Sequence, residues 1–571
     1  MEYRLMNIQK QNGSYYTPVD VATTMVECIK DYLPDCEVLN ILEPSCGDGA
    51  LIKALLMNTK IQKKKLKLTI IDKNEGDLKK AKDFIDINYP NTELVTLPGD
   101  YLEFHFNDNN KFDLVLANPP YINKKHLSPE QIDLINRINI ENNLNHSMVN
   151  NIWTFFLTSA ISKLNGGGVF CFLLPSEILQ VNYAKELRAF IKNKFNTIEI
   201  IFFDQLVFKG IEQDVLILIG RNSDKRHISF FKEEYRDNNK FKNHLSCSYG
   251  RPIKDEKWLK YIIRQKDLET IEEMCKKIQP VDNYCSSYAG IVTASNDYFI
   301  IDRKTVETYK LGNCVKRILK KSSYCRSRIV YSNDDFIKMR DNNIKCFVLD
   351  LNKISSDLIP DNVKKYLDKG IDKKIHLRYK CKIRNNWYQI PSIHSAEAFV
   401  FKRADCFHRV LYNPDNILVT DAAYRIKIKE DFNIQSFVFS YYNSLSLLFA
   451  EIEGRYYGGG VLELTPNEFK RLPLPYIEAN LNQFNYLDSL FKSKKPIEEI
   501  LEYTDDIILK KCYNITEDQI KILRETRQHL IEYRLKHSHK NKKEHIIAKN
   551  APEIHLAKTT LNPSAGFVAL S

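Results

Sequence analysis

Over the first 220 residues, short apolar runs alternate with stretches whose apolar positions recur every three or four residues. The runs Val38 to Leu42, Leu66 to Ile71, Thr92 to Leu97 and Phe112 to Ala117 read as buried strands. Each gives way to small or polar residues: Pro44-Ser45-Cys46-Gly47-Asp48-Gly49, Asp72, Gly99-Asp100 and Asn118. Helical spacing runs from Val19 to Leu33, from Ala50 onward, from Asn151 to Leu164 and from Glu177 to Lys194. Val169 to Leu174 reads as a further strand, and Thr197 to Phe203 with Asp214 to Ile219 as an antiparallel closing pair. Strands alternating with helices, with polar side chains at their C-terminal ends, predict an α/β unit with a parallel, Rossmann-like sheet and one ligand crevice. Residues 122–150 are polar, rich in Asn and without periodicity, and read as a mobile loop at the mouth of that crevice.

The pattern changes twice more. Residues 226–260 are charged and mixed, as in a linker region, and 261–480 carry short strands in which aromatic, amide and basic residues are interleaved. Gly290-Ile291-Val292-Thr293, Lys380 to Tyr388 and Arg455 to Gly460 are examples, and their residue types suit phosphate and base-edge contacts. From 481 the spacing is helical again, and 481–571 is expected to be a helical extension ending in a basic tail. The expected organisation is therefore an α/β domain over 1–225, a linker over 226–260, a mixed, β-rich domain over 261–480 and a helical C-terminal segment.

Composition narrows the possible partners. With 84 Lys and Arg against 72 Asp and Glu, a net charge of +12 suits a polyanion. Thirteen cysteines are scattered singly with no Cys-x-x-Cys pair, which points to reduced thiols, a cytoplasmic location and no structural metal. The start Met1-Glu2-Tyr3-Arg4 has no signal-peptide character, and no apolar stretch reaches the roughly 18 residues of a membrane span.

Candidate chemistry gathers at the strand ends. After Ala117 the chain enters Asn118-Pro119-Pro120-Tyr121, where two prolines force an extended, rigid exit from the strand. The Asn118 amide and the Pro119 carbonyl accept hydrogen bonds from an exocyclic amino group, and Tyr121 offers a face to a planar ring. The loop at Gly47 is not a dinucleotide fingerprint, because the third glycine is absent, and it lacks the lysine of a P-loop. Glu43 and Asp48 beside it would repel phosphate and favour a cation. Asp72, ending the second strand, is placed to accept ribose hydroxyls, and Asp100 to accept from an adenine amine. Thr17 with Pro18 suits a helix start whose free amides seat a carboxylate, though an ordinary capped helix accounts for the same residues. Phe208 beside the turn at Gly210 fits either the crevice or the core.

With Tyr15-Tyr16-Thr17-Pro18, Glu43-Pro44-Ser45-Cys46-Gly47-Asp48-Gly49 and Asn118-Pro119-Pro120-Tyr121 in that order, the chain resembles the gamma-class N6-adenine DNA methyltransferases of restriction–modification systems. The resemblance is specific over about 12–220 and looser through Gly290 to Thr293, Trp387-Tyr388 and Tyr457 to Pro475. It implies S-adenosyl-L-methionine as cofactor and double-stranded DNA as substrate, with room for a companion restriction endonuclease as partner; the chemistry requires no metal, and a monomer is expected because an asymmetric site needs only one recognition domain. It further implies Tyr16 and Thr17 at the methionine end of the cofactor, with Glu43, Ser45 and Gly47 shaping its loop. Asp72 would lie on the ribose and Asp100 on the adenine, with Asn118 and Pro119 on the target amine and Tyr121 and Phe208 on either side of the flipped base. The domain at 261–480 would be the target recognition domain. The competing expectations are a protein-glutamine or RNA adenine methyltransferase using the same Asn-Pro-Pro-Tyr site, and a DNA-binding protein on an inactive methyltransferase fold.

Overall fold

The computed structural model of the chain describes residues 16–145, 150–203, 207–208, 214–223, 227–234, 242–249, 257–456 and 460–535. Its N-terminal half is built on nine strands: β1 Val38–Glu43, β2 Lys65–Asp72, β3 Glu93–Pro98, β4 Phe112–Ala117, β5 Leu164–Pro175, β6 Thr197–Phe203, β7 Val215–Arg221, β8 His227–Glu234 and β9 Lys242–Tyr249. They form one sheet in the order β3-β2-β1-β4-β5-β7-β6-β8-β9. Strands β1 to β5 are parallel, and β7 is antiparallel to both β5 and β6. The chain winds outward from β1 through β2 to β3, then crosses to the other side at β4. The carboxyl ends of β1 and β4 therefore flank a switch point, where an open α/β sheet leaves a crevice. Every residue of β4 is buried, in keeping with its mostly apolar sequence, and its one charged residue, Asp113, accepts from the Asn40 N–H at 2.9 Å and from Asn165 Nδ2 at 2.6 Å.

Helices cover both faces of the sheet. Val19–Ile29, Ala50–Met57 and Glu75–Asn88 close one face around Leu39, Ile41, Leu68 and Leu114. Tyr101–Asn107, Trp153–Ser162 and Lys185–Lys194 close the other. The core under this second face continues into the C-terminal half through Trp258, Tyr261, Phe437, Tyr442, Leu487 and Leu530.

That half contains three small sheets among its helices. Cys285–Ala289, Ala423–Ile428, Ala398–Phe401 and Val410–Tyr412 form an antiparallel sheet. A second sheet joins Ile300–Ile301, Phe347–Leu349, Val315–Leu319 and Leu418–Val419, and a third Arg403–Ala404, Leu462–Glu463 and Arg455–Tyr456. Two landmarks of the sequence meet here. Arg384 donates to the carbonyls of Val292, Thr293 and Trp387, tying the Gly290 segment to the Trp387 segment. A Cβ on Gly290 would lie 2.1 Å from the Thr420 carbonyl oxygen, so only glycine allows that approach. Helices Leu481–Lys492, Ile497–Asp505 and Glu517–Leu535 pack onto Ile434–Tyr441 and Ser444–Glu453. Arg534 forms a buried two-pronged pair with Glu451, at 2.9 Å on each side.

Several expectations are corrected. Residues 122–150 are not a continuous loop: Pro129–Glu141 is a helix, opened by a reciprocal capping box between Ser128 and Gln131. The stretch expected as a linker, 226–260, instead contributes β8 and β9 to the sheet, β8 running parallel to β6. Within Glu177 to Lys194 the α-helix begins only at Lys185, after short 3-10 turns at Ser176–Leu179 and Asn182–Ala184, and the Glu177 carboxylate accepts from Trp153 Nε1 and Tyr183 Oη. The basic tail beyond 535, Tyr15, Gly210 and Tyr457 to Gly459 lie outside the described residues. Among the described residues no helix is long and apolar enough to cross a membrane.

Candidate active site

The carboxyl edges of β1 to β4 surround a cavity of about 180 Å³. Tyr16, Thr17, Ser45, Gly47, Asp72, Asp100 and Asn118, seven residues singled out in the sequence, meet on its wall. The loop after β1 makes this possible. Gly47 sits at φ +52° and Gly49 at φ +82°, in the left-handed region, and a Cβ on Gly49 would lie 2.8 Å from Ala81 Cβ. The Gly47 N–H donates to Asp72 Oδ2 at 2.7 Å, and the Asn74 N–H donates to Asp72 Oδ1 at 2.8 Å. Asp72 thus clasps the glycine loop to the start of the next helix while its carboxylate faces the cavity.

Tyr16 lies across this loop, its ring 3.4 Å from where a Gly47 Cβ would be. Its hydroxyl donates to Asp77 Oδ2 at 2.7 Å. That bond, more than burial, pushes the Tyr16 phenol up to about 12. Asp77 also accepts from Asn74 Nδ2 and Lys80 Nζ, each at 2.7 Å, and Lys80 first and Tyr16 second hold its carboxyl below the usual range. Asp100 caps helix Tyr101–Asn107 through the Leu102 N–H. Its other oxygen pairs with Lys73 Nζ at 2.7 Å and accepts from Gln131 Nε2 at 3.1 Å.

Asn118 stands at the end of β4 with both ends of its amide engaged. Nδ2 donates to Thr17 Oγ1 at 3.1 Å, and Oδ1 accepts from the Tyr121 hydroxyl at 3.2 Å. The same hydroxyl lies 3.1 Å from the Leu173 carbonyl, and Ser45 Oγ donates to the Asn118 carbonyl at 3.2 Å. Thr17 therefore does not cap its helix, which begins at Val19 with no side-chain cap. Its hydroxyl is turned to the Asn118 amide instead.

Four of the expected residues, Glu43, Pro119, Tyr121 and Phe208, are not on the wall. Glu43 is buried behind the loop, and its Oε2 has no partner among the described residues. Burial first, then Asp72 and Asp48, pushes its carboxyl well above the ordinary range. The negative field at the cavity is thus supplied by Asp48, Asp72, Asp77 and Asp100 rather than by Glu43, which corrects that expectation. Pro119 is buried below the cavity, and Phe208 is packed in the core with the helix-covered face of the sheet. Tyr121 is half-buried between the two core clusters.

Asp77, Lys73, Gln131, Tyr101 and Phe156 are site residues that sequence reasoning missed. Asp77 had a signal, the spacing Asn74-x-x-Asp77 at a helix start, and Asn74 does cap that helix. Tyr101 and Phe156, whose ring centroids are 5.1 Å apart, give the cavity an apolar wall. An acidic cavity with one apolar side, a glycine turn at Gly47 and the Asp72 carboxylate on its wall fits a cationic nucleoside and disfavours a polyphosphate. S-adenosylmethionine, with its sulfonium, ammonium, ribose and adenine, matches that donor set.

Comparison with known proteins agrees. Residues 44–208 match the family model of the Eco57I restriction-modification methylase, and 255–509 match that of the C-terminal domain of the type II methyltransferase M.Eco57I. The type II methyltransferase M.AccI of Acinetobacter calcoaceticus is 24% identical over 534 residues, which covers 88% of this chain and 94% of that protein. M.HincII of Haemophilus influenzae is 24% identical over 229 residues, or 38% of this chain and 39% of that protein. The type IIL restriction-modification enzyme MmeI, solved with DNA, shares the fold at a TM-score of 0.50 and 13% identity, covering 96% of this chain and 77% of that one. The chain belongs to the S-adenosylmethionine-dependent type II DNA methyltransferases of restriction–modification systems.

Proposed function

We propose that the chain methylates N6 of adenine within a specific sequence of duplex DNA. The observation that carries this reading is the Asn118 amide, fixed between Thr17 and Tyr121 at the rim of the cofactor cavity. S-adenosylmethionine, when bound, supplies an electrophilic methyl on a sulfonium. The lone pair of adenine N6 is conjugated with the ring and is a poor nucleophile. Asn118 Oδ1 and the Pro119 carbonyl accept from N6-H2 and draw the nitrogen toward tetrahedral geometry. They also stabilise the positive charge that grows as the N–C bond forms and the C–S bond breaks. The proton then leaves N6 to solvent.

The target base leaves the duplex at a cost of a few kcal/mol. Stacking on Tyr121 and on Phe208 recovers about 1–3 kcal/mol per contact. For Phe208 this requires its ring to turn out of the core in which it is packed. Asp72 accepts the ribose hydroxyls, and Asp100 exchanges Lys73 or Gln131 for the cofactor's adenine amine. Tyr16 and Thr17 border the methionine end, and Ser45 and Gly47 shape the loop beneath it. Target recognition is assigned to 261–480, and the enzyme acts as a monomer in the cytoplasm. It protects DNA against a companion endonuclease, an activity that the relative RM.Eco57I of Escherichia coli, described as a restriction enzyme and methyltransferase, carries in its own chain.

Incubation with duplex DNA and methyl-labelled S-adenosylmethionine, followed by nucleoside analysis, tests the reading. Label in N6-methyldeoxyadenosine is expected. Label in a cytosine derivative, or in RNA or protein alone, would overturn it.

A further inference from the structure

A second cavity, of about 230 Å³, lies where the hairpin around Arg403 meets helices Leu481–Lys492, Ile497–Asp505 and Glu517–Leu535. It shares no residue with the cofactor cavity. Arg527 is buried on its wall, and Arg409 flanks it with its guanidinium over the Phe407 ring at 4.8 Å. The Nε of each is buried with no acceptor, and neither guanidinium has a hydrogen bond or ion pair among the described residues. A buried guanidinium stays charged and is costly to leave without acceptors. Two of them facing one cavity point to an anion that completes the site.

The charge balance says which kind. Arg403 is paired outward with Glu463 at 2.7 Å, and Lys495 with Glu499 at 2.9 Å. Arg326, Arg409, Arg527 and Lys494 remain on the wall against two carboxylates, Asp405 and Glu498. The excess of two positive charges matches a phosphate dianion. The planar fork of arginine also fits phosphate oxygens two at a time, which a halide does not use. We propose that this cavity is a phosphate-binding site in which Arg409 and Arg527 hold the phosphate group and Arg326 and Lys494 stand at its mouth. Two sources share this chemistry, a free phosphate and a backbone phosphate of DNA. The second rests on the function proposed above and the first does not.

The test uses the full chain, titrated calorimetrically with sodium phosphate at constant ionic strength, with duplex DNA, and separately with S-adenosylmethionine. Wild type is expected to bind inorganic phosphate saturably. Arg409→Gln and Arg527→Gln should each raise that Kd tenfold or more, and Lys494→Ala, on the exposed rim, several-fold, with S-adenosylmethionine affinity within twofold throughout. If inorganic phosphate gives no saturable signal but the same variants lose tenfold in DNA affinity with a shallower salt dependence, the phosphate is the DNA's and the site stands. If neither ligand distinguishes wild type from Lys494→Ala and the folded arginine variants, the proposal is wrong. Loss of S-adenosylmethionine binding by wild type would contradict the cofactor assignment alone.

Discussion

Asn118 is held by a hydroxyl 101 positions earlier in the chain, and that single contact shapes how the site is expected to respond to substitution. Asn118→Ala removes the acceptor for the target amine and should abolish methyl transfer while S-adenosylmethionine binding survives. Thr17→Val keeps the shape but removes the partner of Nδ2. A hydrogen bond of this kind contributes about 1 kcal/mol, so kcat should fall roughly fivefold with little change in cofactor affinity. An unchanged kcat would mean that Thr17 does not orient the amide. Glu43 makes a different demand. Its carboxyl is held well above its ordinary 4.5, so the folded state binds its proton more tightly than the unfolded chain does. The associated stability is complete below about 4.5 and is lost as pH rises through the folded value. Glu43→Gln cannot ionise, so its melting temperature should fall less than that of wild type between pH 5 and pH 8, with the gap widest at pH 8. Parallel curves would place Glu43 in a wetter setting. Residue types were readable in the sequence, since Asn118, Asp72 and Gly47 announce their chemistry by position in a βα unit. Their partners were not, because no periodicity links Thr17 to Asn118 or Lys73 to Asp100.

Strand β4 spans the same residues, Phe112 to Ala117, in the pattern and in the structure, because Leu114 to Ala117 is an apolar run buried on both faces and the double proline after Asn118 ends it sharply. Helix Pro129–Glu141 was missed for the opposite reason. Only Ile135, Ile138 and Asn139 are buried on it, too narrow a stripe to stand out among asparagines, and the capping pair Ser128 and Gln131 was its clearest signal. The missed helix matters to the site, since Gln131 reaches Asp100 from its first turn. Strands β8 and β9 were hidden by charge, as His227–Glu234 ends in Lys-Glu-Glu and reads as solvated chain. In the C-terminal half the Gly290 contact offers a clean test. Gly290→Ala drives a methyl against the Thr420 and Ala423 carbonyls, an overpacking that costs about 1–3 kcal/mol. DNA binding should weaken while S-adenosylmethionine binding is kept, as measured by titration of each ligand. Equal loss of both would mean that the two halves do not respond separately.

The C-terminal helices belong to the main core rather than to an appendage. Phe202 of β6 meets Tyr533 edge-on with ring centroids 5.3 Å apart, and Gln180 exchanges hydrogen bonds with the backbone of Tyr456. The buried Arg534–Glu451 pair locks helix Glu517–Leu535 to Ser444–Glu453. Arg534→Ala strands a buried carboxylate and should cost about 3–5 kcal/mol in urea unfolding. A loss below 1 kcal/mol would show that the pair is solvated. Helical spacing from 481 onward was plain in the sequence. That these helices complete the core of the catalytic half was not, because an apolar stripe does not name what it packs against.

The central claim, methylation of adenine N6 by an amide held at the end of β4, is tested most directly in living cells. Genomic DNA from a host expressing the chain would be read by single-molecule sequencing beside an Asn118→Ala control. N6-methyladenine at one recurrent sequence, absent from the control, is the predicted result. Modified cytosine instead, or the same N6-methyladenine in the control, would contradict the account.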